Sequence, residues 1–217
     1  MIILYQIILY IIVIYALYFS ISGFLAICKN KKIPQRHPPK YKFAILIAAR
    51  NEEKVIAGLL ESLDNQNYPK DLYEVFVIPN NCTDATEQIA RDAGATIVLP
   101  DEHISAKGQA LKYTMQQLAQ REDIDAFAVF DADNIVHPDF LKRMNDALCH
   151  DGGKYRIAQG FRDSKNYGDN WISSGYSIFY WYQNLFFNRS RMILNGSASI
   201  NGTGFILKKE IFLEHGF

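Results

Sequence analysis

Five consecutive apolar residues, Ala126 to Phe130, run without a break into Asp131-Ala132-Asp133-Asn134. A run this short and this uniformly apolar suits a strand buried on both faces, as in a parallel sheet covered by helices on each side. The carboxyl end of such a strand is where open α/β sheets bind ligands. Alternation along an extended backbone puts Asp131 and Asp133 on one side, with Ala132 pointing away. Two hard oxygen donors close together suit Mg²⁺ or Mn²⁺, and such an ion usually keeps substrate phosphates as its remaining ligands.

The flanking sequence repeats the theme. Phe43 to Ala49, Tyr73 to Ile78, Thr96 to Leu99 and Tyr155 to Phe161 read as further strands. Between them, Glu52 to Leu63 has the helical spacing of Val55, Ile56, Leu59, Leu60 and Leu63, and Thr83 to Ala93, Ala106 to Arg121 and Pro138 to Leu148 are helical. Strands alternating with helices of this size imply βαβ units and a mainly parallel sheet flanked by helices.

The N-terminus is different in kind. Residues 1–28 carry no charge, and 29–42 then bring Lys29, Lys31, Lys32, Arg36, Lys40 and Lys42. A helix of about 27 residues rises roughly 40 Å, more than the ~30 Å hydrocarbon core of a bilayer, so it spans with some tilt. A cleaved signal peptide would show a basic start, a shorter apolar stretch and a small-residue cleavage site. None is evident, which favours a retained membrane anchor. The basic run after the helix places Lys29 onward in the cytosol and Met1 outside, a single pass in this chain through the cell membrane. Residues 29–41, with three prolines and many cations, read as a linker over the membrane surface, and 42–217 as the soluble domain.

Formal net charge is zero, which gives no argument for a nucleic-acid partner. Cys28, Cys82 and Cys149 lie far apart with no paired spacing, so neither a disulfide framework nor a zinc site follows. Ile172 to Leu194 gathers Tyr176, Phe179, Tyr180, Trp181, Tyr182, Phe186 and Phe187 ahead of Arg189 and Arg191. A core helix covering the sheet is the slightly favoured reading, since aromatic stripes usually pack inside. An amphipathic helix lying in the bilayer interface is the other.

Several turns carry polar residues where a ligand would sit. The first strand leads into Arg50-Asn51-Glu52-Glu53 and the second into Asn80-Asn81-Cys82-Thr83-Asp84-Ala85-Thr86. Either is equally a turn with a helix cap. Lys107-Gly108 at a helix start suits phosphate, although a lone lysine is more often a solvated charge. Asn201-Gly202-Thr203-Gly204-Phe205 is a glycine-rich turn that allows close backbone approach.

Taken in order, ARNEE, NNCTDAT, KGQALK, DADN, QGFR and NGTGF resemble the family 2 glycosyltransferases of the GT-A fold. The match is strongest to the membrane-anchored, polysaccharide-synthase-like branch. The resemblance covers about residues 42–217, and DADN followed by NGTGF is its most specific part. It implies roles residue by residue. Asp131 and Asp133 match the pair that holds the divalent cation and the nucleotide-sugar diphosphate, with Mg²⁺ or Mn²⁺ as cofactor. Asn51 and Glu52 lie where the family contacts the nucleoside, Asn80 and Asp84 where it reads the base, and Lys107 at a basic position near the nucleotide. Gln159 and Gly160 line the sugar pocket, and Gly202, Thr203 and Gly204 form the acceptor-side loop. Asn80 departs from the usual aspartate, although its amide oxygen still accepts a base N–H.

The implied activity is inverting transfer of a hexose from a nucleotide sugar, expected to be UDP-linked, to a glycan or lipid acceptor. In the family an acidic base motif follows NGTGF and a glycine-aromatic pair. Here Gly216-Phe217 is that pair, so the general base is expected beyond Phe217 and the chain reads as the N-terminal part of a transferase. No Gln-x-x-Arg-Trp motif is present. An inactive, membrane-anchored donor-binding scaffold is the alternative. A nucleotidyltransferase is a third reading, disfavoured by NGTGF.

Overall fold

The structure is a computed structural model that describes residues 2–28, 35–100 and 106–216. Lys29, Lys31 and Lys32 of the expected basic run, Ser105 and Phe217 lie outside the described residues. The chain divides into two compact units, one within Met1–Ile33 and Phe161–Ser199, the other within Pro34–Gly160 and Ile200–Phe217.

The second unit is a six-stranded sheet: β1 (Phe43–Ala49), β2 (Tyr73–Pro79), β3 (Thr96–Ile97), β4 (Ala126–Asp131), β5 (Ile157–Gln159) and β6 (Phe205–Lys208). Strand order is β3-β2-β1-β4-β6-β5. The first four strands in that order are parallel, while β6 runs antiparallel to both β4 and β5. The expected mainly parallel α/β sheet is therefore present, with one reversed strand inserted between β4 and β5. Phe205–Lys208 was not legible as a strand, being four residues directly after a glycine-rich turn.

Why the apolar runs become strands is visible in their burial. Phe43, Ile45, Ile47 and Ala49 pack into one core with Ile56, Leu59 and Leu63 of α2 (Ile56–Asp64) and Leu141 and Leu148 of α5 (Phe140–Gly153). Ala44, Leu46, Phe127 and Val129 pack into the other with Ala110, Leu111 and Met115 of α4 (Lys107–Leu118) and Phe212 of α8 (Lys209–His215). Successive side chains thus feed opposite cores, and a strand with helices on both faces has to be apolar throughout. Each fully buried Phe, Ile or Leu contributes roughly 1.5–3 kcal/mol relative to exposure.

Two helices start later than their apolar spacing indicates. α2 begins at Ile56 and α3 at Thr86 (Thr86–Asp92); before them Glu52 O accepts from Val55 N and Ile56 N in a turn, and the amides of Glu52, Glu53 and Ala85 bond across between the two segments. The regular turns of α5 end at Cys149, since His150, Asp151 and Gly152 leave helical geometry. Residues 35–41 have no secondary structure but are fastened to α5. Asn145 Oδ1 accepts from Lys40 N and Tyr41 N, and Asp146 Oδ1 accepts from His37 N.

The first unit contains α1 (Ile2–Cys28), α6 (Trp171–Tyr182), a π-helical stretch over Gln183–Asn188, and α7 (Arg189–Ile193). The Asn170 side chain caps α6 by accepting from Ile172 N and Ser173 N, each at 3.0 Å. The aromatic segment is grouped with α1 rather than with the sheet, so the core-helix reading of Ile172 to Leu194 is not what is observed.

Candidate functional site

Strand order places the site. Connections from β1 lead one way to β2, and those from β3 lead back to β4 on the other side, so β1 and β4 flank a topological switch point. Ala49 lies beside Pro79, and Ala48 beside Asp131, so the loops after β1, β2 and β4 leave the sheet at one edge.

Asp131 is the last residue of β4 and half-buried. Ala132 continues the Ala128–Phe130 side into the core, as alternation requires. Extended backbone stops there. Asn134 N donates to Asp131 O at 3.1 Å, closing a turn that carries Asp133 at the exposed surface. Strand parity turns Asp131 toward the face that α4 covers, and Lys107 opens that helix. Lys107 Nζ accordingly forms an ion pair with Asp131 Oδ1 and reaches Gly202 O at 3.5 Å.

The turn before β6 completes the cluster. Asp131 N donates to Thr203 Oγ1 at 2.9 Å, and the same hydroxyl donates to Asn134 Oδ1. Asn134 Nδ2 in turn donates to Asp133 Oδ1 at 3.0 Å. Gln159 at the end of β5 holds the turn from the other side. Its Nε2 donates to Thr203 O and Gly204 O, each at 3.0 Å, and its Oε1 accepts from Asn201 N at 2.9 Å. Gly160 N donates to Gly204 O at 2.8 Å. A Cβ on Gly160 would stand 2.7 Å from the Phe140 ring and 2.9 Å from Gly204 O, so no larger residue fits without displacement. Gly202 and Gly204 both have positive φ, at 74° and 63°, which glycine adopts without strain.

On the other side of the switch point, the loops after β1 and β2 lock together. Asn51 takes φ 56°, and its Oδ1 accepts from Thr83 N at 2.8 Å. Glu52 N donates to Thr86 Oγ1 at 2.8 Å, and Ala85 N donates to Glu53 Oε2 at 3.0 Å. Asp84 accepts from the Thr86 hydroxyl and amide through Oδ1 and from Glu53 N through Oδ2. The Thr86 hydroxyl, foremost among these donors, holds the Asp84 carboxyl below its usual range. Asn80 N donates to Ala49 O at 2.8 Å, and Asn80 Oδ1 accepts from Asn81 Nδ2 at 3.0 Å.

The structure thus brings Lys107, Asp131, Gln159, Gly202, Thr203 and Gly204 into one hydrogen-bonded cluster, and joins Asn51, Glu52 and Asp84 into a second. The roles of Asn134, Glu53 and Thr86 were missed in the sequence. Asn134 stands directly after the two acids and links them to Thr203, while Glu53 and Thr86 bind the first two loops to each other.

Among the described residues no group of three or more His, Cys, Asp or Glu forms a cage for an ion. The local chemistry nonetheless fits a divalent cation completed by ligand oxygens. Both donors are carboxylates, and one of them already holds a cation in the form of the Lys107 ammonium.

Comparison with known proteins bears on the fold and the family. A beta-monoglucosyldiacylglycerol synthase of Nostoc sp. is 28% identical over 173 residues, 77% of this chain and 36% of that protein. The probable glycosyltransferase YdaM of Bacillus subtilis is 28% identical over 188 residues, covering 81% of this chain and 42% of that protein. The chain therefore spans well under half the length of these curated relatives. Among solved structures, the mannosyltransferase PcManGT from Pyrobaculum calidifontis, in complex with GDP-Man and Mn²⁺, superposes with a TM-score of 0.67 at 16% identity. That match covers 93% of this chain and 54% of PcManGT. S. aureus TarS 1-349 gives a TM-score of 0.58 at 19% identity, over 80% and 48% of the two chains. These neighbours establish the GT-A fold. The sequence model of the "Glycosyltransferase like family 2" matches residues 38–216, most of the chain, and the chain belongs to that family.

Proposed function

We propose that this chain carries the donor-binding part of a metal-dependent, inverting hexosyltransferase that takes its sugar from a UDP-linked donor and passes it to a lipid acceptor. The observation that carries the reading is Asp131, placed at the switch point with its amide held by Thr203 and its carboxylate paired to Lys107. The lipid acceptor is favoured over a glycan by two relatives that match over 77% of the chain, each named a beta-monoglucosyldiacylglycerol synthase.

Asp131 and Asp133 would hold Mg²⁺ or Mn²⁺, which when bound stabilises the negative charge developing on the departing diphosphate. The protein's own groups do the positioning. Thr203 and Asn134 fix the backbone from which Asp131 projects. Lys107 pairs with that carboxylate and would supply a positive charge to a bound diphosphate. Gln159 holds the Asn201–Gly204 turn in shape for the sugar, while Asn51, Glu52, Asn80 and Asp84 line the nucleoside side. In this reading 1–28 spans the cell membrane with Met1 outside, 29–41 follows the cytoplasmic surface, and 42–217 belongs to the cytoplasmic transferase domain. The helix Ile3–Cys28, which among the described residues is the one long and apolar enough to cross a membrane, is what supports the anchor.

Calorimetry with UDP-glucose and Mn²⁺ tests the donor assignment. Metal-dependent binding, abolished in the Asp131→Ala, Asp133→Ala double variant and weaker for GDP-mannose, is the expected result. Metal-independent binding, or binding that survives the double substitution, would sink it.

A further inference from the structure

We infer that the aromatic segment Trp171–Ile193 is a second membrane element, lying in the headgroup–acyl boundary of the bilayer against the last third of α1. The inference rests on the reading of α1 as a membrane span.

The first observation is an inverted helix. The covered side of α6 is made of small and polar groups, Ser173, Ser174 and Ser177, with Tyr180. Ser177 is buried and bonds to Asp163, whose other carboxylate oxygen accepts from Trp181 Nε1 at 2.7 Å. The uncovered side carries Trp171, Ile172, Ile178, Phe179 and Tyr182, with Trp171 83% and Ile178 70% exposed. A helix on a water-soluble domain shows the opposite arrangement. An apolar side turned outward over three helical turns asks for an apolar medium.

The second observation identifies that medium through α1. Residues 3–18 of α1 are exposed throughout, whereas Phe19, Ser22, Gly23 and Ala26 form a covered stripe at helical spacing. Small residues in such a stripe let helices approach closely in membranes. The Phe187 ring stacks on Phe19 with centroids 6.4 Å apart, and a Cβ on Gly23 would lie 3.8 Å from Phe186. Gly23 stands about 7 Å and Phe19 about 13 Å from the Cys28 end of the helix. Taken upright, a 27-residue helix overhangs a ~30 Å hydrocarbon core by roughly 5 Å at each end, and tilt draws those ends inward. The aromatic segment therefore meets α1 roughly 2–8 Å inside the hydrocarbon edge, near the ~5–10 Å depth of interfacial amphipathic helices. Arginines complete the pattern. The Arg162 guanidinium lies 4.6 Å from the Tyr180 ring centre and that of Arg191 5.1 Å from Phe187, cations on aromatic rings at a membrane rim.

Trp171 and Trp181 are the chain's two tryptophans, so tryptophan emission, excited to the red of the tyrosine band, reports this segment alone. The test uses the full chain reconstituted in phospholipid vesicles, with lipids brominated either near the head or near the methyl end of the acyl chain, and iodide as the aqueous quencher. An alkaline wash of the vesicles separately scores insertion of α1. With the protein retained through the wash, the expected result is a blue-shifted emission, mostly lost with head-proximal bromolipid and less affected by the methyl-end lipid. Emission quenched by iodide but by neither bromolipid, shielded from all three, or quenched most by the methyl-end lipid would overturn the inference in turn as solvent-exposed, covered by protein, or deeply embedded. Loss of the protein in the wash would overturn it together with the anchor reading, and so distinguishes the two failures.

Discussion

The two ends of the sheet carry the same kinds of charge and treat them differently. At the amino end, Glu74 meets Arg121 through two contacts of 2.7 Å each, and Arg121 and Lys42 both also bind Asp123. Arg121 foremost, with Lys42, holds the Glu74 carboxyl down at about 2. At the carboxyl end, Asp131 is paired with one lysine and sits among backbone turns fixed by side-chain hydrogen bonds. A guanidinium fork fits a carboxylate at both oxygens and keeps it, whereas an ammonium is a point charge that a better cation can displace. One end is closed as structure, and the other is kept exchangeable.

Four experiments can break that contrast. The largest effect is expected from Asp131→Asn, which should weaken Mn²⁺-dependent donor binding about 100-fold or more while barely moving the melting temperature, if the removed charge is a ligand as proposed. Calorimetry beside a thermal melt reads both, and a large loss of stability with binding intact would reverse the two roles. Next comes Thr203→Val, which strips the main acceptor from the Asp131 amide and should cost about 1–2 kcal/mol of stability together with weaker donor binding. Thr203→Ser should restore both in a denaturant titration run alongside binding; failure of the serine variant to rescue would point to the methyl group instead. Arg121→Ala should show the complementary pattern, a loss on the order of 1 kcal/mol in stability with donor affinity unchanged, because the network is partly solvated.

The smallest effect is in pH. The Glu74 carboxyl titrates at about 2 when folded and near 4.5 in a model peptide, so its contribution is fully present above about 4.5 and drains away as pH falls toward 2. After solvent screening that is on the order of 1 kcal/mol, and the loss should vanish in Arg121→Ala. An acid melt of the variant that still steepens over this interval would place the sensitivity in another group.

The sequence disclosed some of this and hid the rest for physical reasons. The strands were legible because double-sided burial leaves uniformly apolar runs, and the switch-point edge followed from where those runs end. The pairing of Lys107 with Asp131 was not, since it depends on which face of the sheet α4 covers. The delayed starts of α2 and α3 were hidden because Glu52, Glu53 and Thr86 bond between loops, which no apolar spacing records. The reversed strand β6 was hidden by its brevity. The reading of the aromatic segment as a core helix failed because apolar periodicity does not record which side of a helix is covered; here Ser177 is buried while Trp171, Ile178 and Phe179 are exposed.

The reversed strand has a consequence for synthesis. Ribosomes make β4 first and β6 only after residues 132–204, a stretch that includes the whole aromatic segment. During that interval β4 is an unpaired sheet edge, and the Asp131 amide lacks the hydroxyl that later holds it. The hydrogen-bonded cluster around Asp131 therefore matures late, once the aromatic segment has left the ribosome and Thr203 has followed it.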